Sequence, residues 1–190
     1  MNRTQRILLS IALAAILGFT ACGESNDNAK IEGWWRHAEF SSDDGYYAYH
    51  FDGGKIYVLS SEASTQEAAI EEINKAIAAG QEGASIEYTL KGDILTMNQY
   101  DGVISWEDQL HVTFKGDTVV LDETEEDFKH NFNVMKERYE EALKEAPNAA
   151  AKEGIQKKYD EQLGSYDKKY KEWEADKDEP EVCVRFQPQE

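Results

Sequence analysis

Cysteine, proline and positive charge are scarce in this chain of 190 residues. It has only two cysteines and three prolines. Two cysteines are too few for the multiple disulfides that stabilise many small secreted domains. Lysine and arginine number 20 against 38 aspartates and glutamates, so the formal net charge is −18. A surface this acidic repels phosphate backbones, which argues against nucleic acids as partners.

Sequence motifs for catalysis and metal binding are also missing. The four histidines form no His-x-x-x-His pair and lie near no cysteine at a zinc-binding spacing; they are His37, His50, His111 and His130. No Gly-x-Ser-x-Gly, phosphate-binding loop or calcium loop is present. We therefore predict no catalytic residue, no metal site, no cofactor and no enzymatic activity. Cys183 lies in the alternating stretch EVCVRF, which predicts a buried structural thiol rather than a reactive one.

The N-terminus has the pattern of an export signal. Arg3 and Arg6 precede the run Ile7–Phe19 of about 13 largely apolar residues, too short for a bilayer core that needs roughly 20. A basic start, a short apolar core and small residues before a cleavage point are typical of such signals. We predict a signal peptide over residues 1–21, directly before Cys22.

The residues around this point resemble the lipobox of bacterial lipoproteins, with Phe19 where leucine is usual. The resemblance implies that Cys22 is lipidated, becomes the first residue of the mature protein and anchors it in the cell envelope. An outer-membrane lipoprotein is expected, on either the periplasmic or the surface face. The alternative is an ordinary secretory signal with a chance cysteine. Residues 22–31 are small and polar and predict a flexible tether.

Residues 32–190 are predicted to form one domain with about eight strands. These are Gly33–Phe40, Tyr46–Phe51, Lys55–Ser60, Ser85–Lys91, Ile94–Gln99, Val103–Phe114, Asp117–Asp122 and Glu181–Gln187. Most are separated by short turns rich in glycine and aspartate. Closely spaced strands with such turns favour a barrel or a sandwich.

Helical patterns interrupt the strands twice. Ser64–Ala79 has apolar residues at helical spacing after the third strand, and Ser64 with Glu67 fits a capping box. Two longer apolar stripes, separated by Pro147, predict a helical hairpin at about 125–177, before the last strand. The hairpin either packs on the barrel as additional core, or projects to dock an envelope protein or cover the barrel mouth.

Two short motifs resemble the calycin group, and in particular lipocalin-like bacterial lipoproteins. Gly33-Trp34-Trp35 matches the Gly-x-Trp that opens the first strand of that group, and Arg185 matches an arginine of the last strand that stacks on the tryptophan. The resemblance implies an eight-stranded antiparallel barrel closed by Gly33, Trp35 and Arg185. Both helical segments depart from the simple family pattern, so the predicted fold class is mainly β with α insertions. Trp34 is the alternative partner of Arg185.

Strand alternation suggests a ligand site inside this barrel. If Trp35 points inward, His37 and Glu39 do too, joined either by Tyr46 and His50 or by Tyr47, Tyr49 and Phe51. The predicted ligand contacts are Trp34, His37, Tyr47 and Tyr49. The expected function is a non-enzymatic, membrane-anchored lipoprotein that binds a small, partly apolar ligand. Alternatively, the interior is packed and the helical hairpin docks an envelope protein.

Overall fold

The computed structural model describes residues 27–39, 46–81, 83–177 and 179–188. In these ranges, eight antiparallel strands form a closed barrel in sequence order. The strands are β1 (Gly33–His37), β2 (Tyr46–Asp52), β3 (Lys55–Ser61), β4 (Ala84–Lys91), β5 (Ile94–Tyr100), β6 (Ser105–Lys115), β7 (Thr118–Asp122) and β8 (Glu181–Arg185). Because β8 pairs with both β7 and β1, the sheet has no free edge. The predicted closed eight-stranded barrel is confirmed.

Three predicted strands extended too far by two residues or more. β1 ends at His37 rather than at Phe40, which lies outside the described residues, and β8 ends at Arg185 rather than at Gln187. β6 begins at Ser105 rather than at Val103. Here the Asp101 carboxylate accepts hydrogen bonds from the backbone N–H groups of the second and third residues after it, 2.9 and 3.0 Å away. This local turn uses the donors that a strand would need.

The barrel interior is a packed apolar core. Its buried side chains alternate along the strands and come from Trp35, Tyr49, Phe51, Ile56, Val58, Ile86, Tyr88, Leu90, Leu95, Met97, Leu110, Val112, Val119, Leu121 and Cys183. On β2, the inner face is therefore the one with Tyr49 and Phe51, with Tyr47 packed beside them. Of the two alternatives left open for this strand, the second is the one observed.

Residues 27–31 are part of the barrel, although the sequence assigned them to a flexible tether. Asn28–Lys30 form a 3-10 turn, and Ile31 is fully buried in the barrel core. Asp27 N–H donates to Leu90 O at 2.9 Å, and Leu90 N–H donates to Asn28 Oδ1 at 2.7 Å. The polar side chains of this segment thus bind the end of β4, and its one large apolar residue plugs the barrel. We call this end of the barrel the plugged end. Residues 1–26, which include the predicted signal peptide and Cys22, lie outside the described residues.

Helix α1 (Gln66–Ala78) lies outside the barrel, against β2 and β3. Its buried Ala69 and Ile73 pack with Tyr46, Ala48 and Leu59 from the outer faces of those strands. The predicted cap of Ser64 with Glu67 is wrong. Thr65 is the N-cap, because its hydroxyl accepts the Ala68 N–H at 3.3 Å.

The long insertion contains three helices: α2 (Glu125–Glu145), α3 (Ala149–Gln162) and α4 (Tyr166–Asp176). The predicted second arm is divided because Gly164 has a φ of +56°, which ends α3, and Ser165 caps α4. None of the helices in the described ranges is long and apolar enough to cross a membrane.

The insertion packs on the barrel mainly through α2. Asn131 binds the backbone of Gln109 on β6 through both amide atoms, at 2.8 and 3.0 Å. β7 ends at Asp122, before it reaches the position opposite Gln109. Asn131 therefore takes the place of a β7 partner for Gln109. An apolar cluster joins Ile104 and Trp106 to buried residues of the insertion: Phe128, Phe132, Tyr139 and Trp173 in α2 and α4, and Leu163, which follows the last residue of α3. These contacts correspond to the packed alternative, although α3 itself contributes no buried residue.

Candidate functional site

The end of the barrel opposite the plug carries the polar side chains of the interior. At this end β1, β3, β5 and β7 finish, and β2, β4, β6 and β8 begin. The residues that continue the inward-facing positions here are His37, Glu181, Gln99 and Asp108, with Tyr49 just below them. We call this set the polar end. An interior that is apolar at one end and polar at the other can orient a ligand that has both kinds of group.

One wall of the polar end is a hydrogen-bonded cluster on β1, β2 and β8. His37 Nε2 lies 2.6 Å from Glu181 Oε1 and 3.1 Å from the Tyr49 hydroxyl. Cys183 Sγ lies 3.6 Å from the same Glu181 oxygen. The exposed fractions of the His37 and Glu181 side chains are 15% and 8%. Four groups of different chemistry therefore meet in a largely buried volume.

Burial and mutual charge set the protonation of this cluster. Burial by itself would raise the pKa of the Glu181 carboxyl, but the hydrogen bond to His37 and the charge of that ring lower it below its ordinary value. Burial and then the Glu181 charge raise the pKa of the Cys183 thiol well above its usual range. The same two causes raise the pKa of Tyr49. The cluster therefore holds one carboxylate beside a protonated thiol and a protonated phenol.

The opposite wall contains two polar residues on β5 and β6. Gln99 is 1% exposed, and neither atom of its side-chain amide has a hydrogen-bond partner. Burial, and then the neighbouring Glu123 charge, raises the pKa of Asp108 to about 7. A carboxyl with this pKa can donate a hydrogen bond as the acid or accept one as the carboxylate near neutral pH. On this wall, the Gln99 amide thus has hydrogen-bonding capacity that is not used within the described part of the protein.

A small apolar cavity of about 20 Å³ lies below these groups. Tyr49 and Glu181 line it on one side, and Met97 and Leu110 line it on the other. A volume of roughly 10–15 Å³ on this scale already holds one water molecule. The cavity therefore has room for about one water, and a larger ligand has to displace side chains or sit at the polar end itself.

The predicted closure residues meet at the seam between β1 and β8. The Arg185 guanidinium carbon lies 4.1 Å from the centre of the Trp35 ring, so Trp35 and not Trp34 is its partner. Arg185 also donates a hydrogen bond to Glu32 O at 2.5 Å. Gly33 has a φ of +112°, and a Cβ atom there would lie 2.7 Å from Arg185 Nη1. The glycine thus leaves the space that the guanidinium occupies.

The predicted ligand contacts are divided between the two faces of the barrel. His37, Tyr47 and Tyr49 lie inside, where both tyrosine rings contact the histidine ring. Trp34 lies outside and stacks on His50 with ring centres 4.3 Å apart, so the prediction that it contacts a ligand with them is wrong. It precedes an inward Trp35, and adjacent strand residues face opposite sides. Glu39 lies beyond the end of β1 and is exposed.

The sequence prediction missed three residues of the polar end, Glu181, Gln99 and Asp108, and the adjoining Cys183. Alternation could have found two of them, because Glu181 shares a face with Cys183, and Gln99 shares one with Leu95 and Met97. Nothing in the sequence showed that His37 lies opposite Cys183 across the closing seam.

Comparison with known proteins gave no match to any family model, curated protein or solved structure.

Proposed function

We propose that this protein is a lipocalin-like lipoprotein of the bacterial cell envelope, anchored through Cys22, that binds a small and partly apolar ligand at the polar end of its barrel without catalysis. The closed barrel, the Arg185–Trp35 contact across its seam and the plug at the opposite end support this proposal. With one end plugged, the polar end is the route by which a ligand enters.

The unpartnered amide of Gln99 carries the proposal. A buried polar group without a hydrogen bond costs about 1–3 kcal/mol. A ligand with one donor and one acceptor would satisfy both atoms of this amide, while its apolar part covers Met97 and Leu110. Because the cavity is small, we expect a ligand that fits by moving side chains of the polar end rather than by filling a preformed chamber.

Native mass spectrometry of the protein purified from its own host tests this proposal. We expect a small organic molecule to accompany the wild-type protein and to be lost from Gln99→Leu. The ligand-free Gln99→Leu protein should also be more stable than the ligand-free wild type, by about 1–3 kcal/mol, because the unsatisfied amide is removed.

Gln156→Leu is the matched control, since Gln156 is exposed on α3 and bonds only its helix neighbour Asp160 at 2.9 Å. It should retain the molecule and the wild-type stability. Wild-type protein that carries no molecule, or Gln99→Leu protein that retains it, would refute the proposal.

A second candidate is a docking role for the helical insertion. The 14 residues of α3 pack against α2 and include no buried residue, so this helix adds little to the barrel core. An envelope protein is the expected partner. Cross-linking in intact cells should then connect partner proteins to α3, whereas cross-links that avoid α3 would exclude this role.

A further inference from the structure

We propose that His37, Glu181 and Cys183 form a binding site for a divalent metal ion of the zinc class at the closing seam of the barrel. The inference goes beyond the proposed ligand site, because the metal site does not require an organic ligand. It rests on the placement of three different ligand types on adjacent strands.

The strands bring the three side chains together. Glu181 and Cys183 are two residues apart on β8, so both face inward. His37 lies directly opposite Cys183 in the β1–β8 register. Cross-strand partners have Cβ atoms roughly 4.5–5.5 Å apart, which is close enough for both side chains to reach one ion. Because paired strands hold these positions, the site does not depend on a loop.

The distances suit an ion after small side-chain rotations. One ligand atom from each residue lies within 4.8 Å of the other two. Ligands bound to zinc at about 2.0–2.3 Å in a tetrahedron are roughly 3.3–3.8 Å from one another. The Glu181–Cys183 separation of 3.6 Å falls in that range, and the His37–Glu181 contact of 2.6 Å has to open when a metal replaces the shared proton.

The chemistry of the ligand set favours zinc over calcium or magnesium. Thiolate and imidazole are ligands for zinc-like ions, whereas calcium and magnesium prefer oxygen alone. A Zn²⁺ ion with one thiolate and one carboxylate has no net charge, which suits a buried site beside an apolar core. Tyr49 and the cavity of about 20 Å³ adjoin Glu181, so a water molecule or the phenol can supply the fourth ligand.

A purely structural role would not need this combination. A hydrogen bond between His37 and Glu181 already satisfies both groups, and any small apolar residue could fill the place of Cys183. The thiol is buried with its sulfur towards the carboxylate, and it is the one free cysteine in the described ranges.

Cobalt titration tests the proposal directly. The protein is purified as its host produces it, stripped with a chelator and titrated with Co²⁺ and then Zn²⁺. We expect one equivalent of Co²⁺ to give a thiolate-to-cobalt charge-transfer band in the near ultraviolet, and Zn²⁺ to displace it. Cys183→Ser should abolish the band, and His37→Gln and Glu181→Gln should each weaken Zn²⁺ binding by at least about tenfold.

His50→Gln is the matched control. His50 lies on β2, which pairs with the β1 strand of His37, but its side chain is on the outer face of the barrel. It should leave the titration unchanged, and circular dichroism should show each variant to be folded. Wild-type protein without the charge-transfer band, or equal Zn²⁺ affinity of His37→Gln and His50→Gln, would overturn the metal site. Neither result bears on the proposed organic ligand, because native mass spectrometry detects that ligand separately by its own mass.

Discussion

The contact between Arg185 and Trp35 is expected to stabilise the closed barrel measurably. Its guanidinium covers the indole ring at 4.1 Å, an arrangement that contributes about 0.5–2 kcal/mol. The same group donates a hydrogen bond to Glu32 O, and bonds from charged donors contribute roughly 1.5–3 kcal/mol. Because Arg185 is exposed, we take values towards the lower limits and expect Arg185→Ala to lower the free energy of unfolding by about 2–3 kcal/mol.

Thermal and urea unfolding provide the measurement. For a domain of this size, a loss of 2–3 kcal/mol lowers Tm by about 5–10 °C. Arg138→Ala is the control, since this arginine forms an exposed ion pair with Glu141 at 3.2 Å and should change stability by less than about 0.5 kcal/mol. Equal stabilities of the two variants would refute the assigned role of Arg185.

A double-mutant cycle with Gly33 tests the geometry of the seam. In the wild type, Gly33→Ala introduces backbone strain of about 1–3 kcal/mol at its positive φ and also displaces the Arg185 side chain. In the Arg185→Ala background only the strain remains. The cost of Gly33→Ala should therefore be about 2 kcal/mol smaller there. Additive effects would show that the glycine and the arginine do not share this space.

Two further predictions concern a helix cap and a buried acid. Thr124→Ala should destabilise by about 1–2 kcal/mol, more than Thr65→Ala, because the Thr124 hydroxyl both accepts the Asp127 N–H and donates to the Asp127 carboxylate, whereas the Thr65 hydroxyl accepts the Ala68 N–H. Equal losses in urea unfolding would contradict this. Asp108 has a pKa near 7 in the folded state and about 3.9 when unfolded, so the folded protein binds the extra proton and stability falls as the pH rises from about 4 to 7. Asp108→Asn should reduce that fall and raise Tm at pH 8, and an unchanged pH profile of Tm would show that Asp108 does not titrate in this range.

The helical insertion shows how far local sequence signals reach. Pro147 predicted the break after α2, and a capping box of Thr124 and Asp127 starts that helix, because caps and proline act within a few residues. Gly164 is a weaker signal for the break between α3 and α4, since a single glycine lowers helix propensity by only about 1 kcal/mol. Whether the helices would pack or project was undetermined. That depended on the backbone of Gln109, which pairs with β5 but has no partner on its other side because β7 is shorter than β6.

The inner and outer faces of the strands were also only partly predicted from the sequence. Alternation grouped His37 with Trp35, but it could not say which set of β2 residues joins them, because both sets are rich in aromatic residues. The fold resolves this because α1 buries Tyr46 and Ala48 on the outer face, so both faces of β2 are apolar for different reasons. Trp34 was misassigned against the alternation, which places it on the face opposite Trp35 and His37, and the structure shows it stacked on His50 outside the barrel.

The amino-acid sequence by itself determined the positions of the strands and of most turns between them, because these depend on neighbours along the chain or on strict alternation. The closing residues Gly33, Trp35 and Arg185 were expected from a family resemblance, and the structure selected Trp35 over Trp34. Only the tertiary structure decided the composition of the polar end. His37 and Cys183 are far apart in sequence and become neighbours when β8 pairs with β1, and the Gln99 amide lacks a hydrogen-bond partner because of what surrounds it in space. Register across a closing seam is set by the packing of the whole barrel, and no local pattern encodes it.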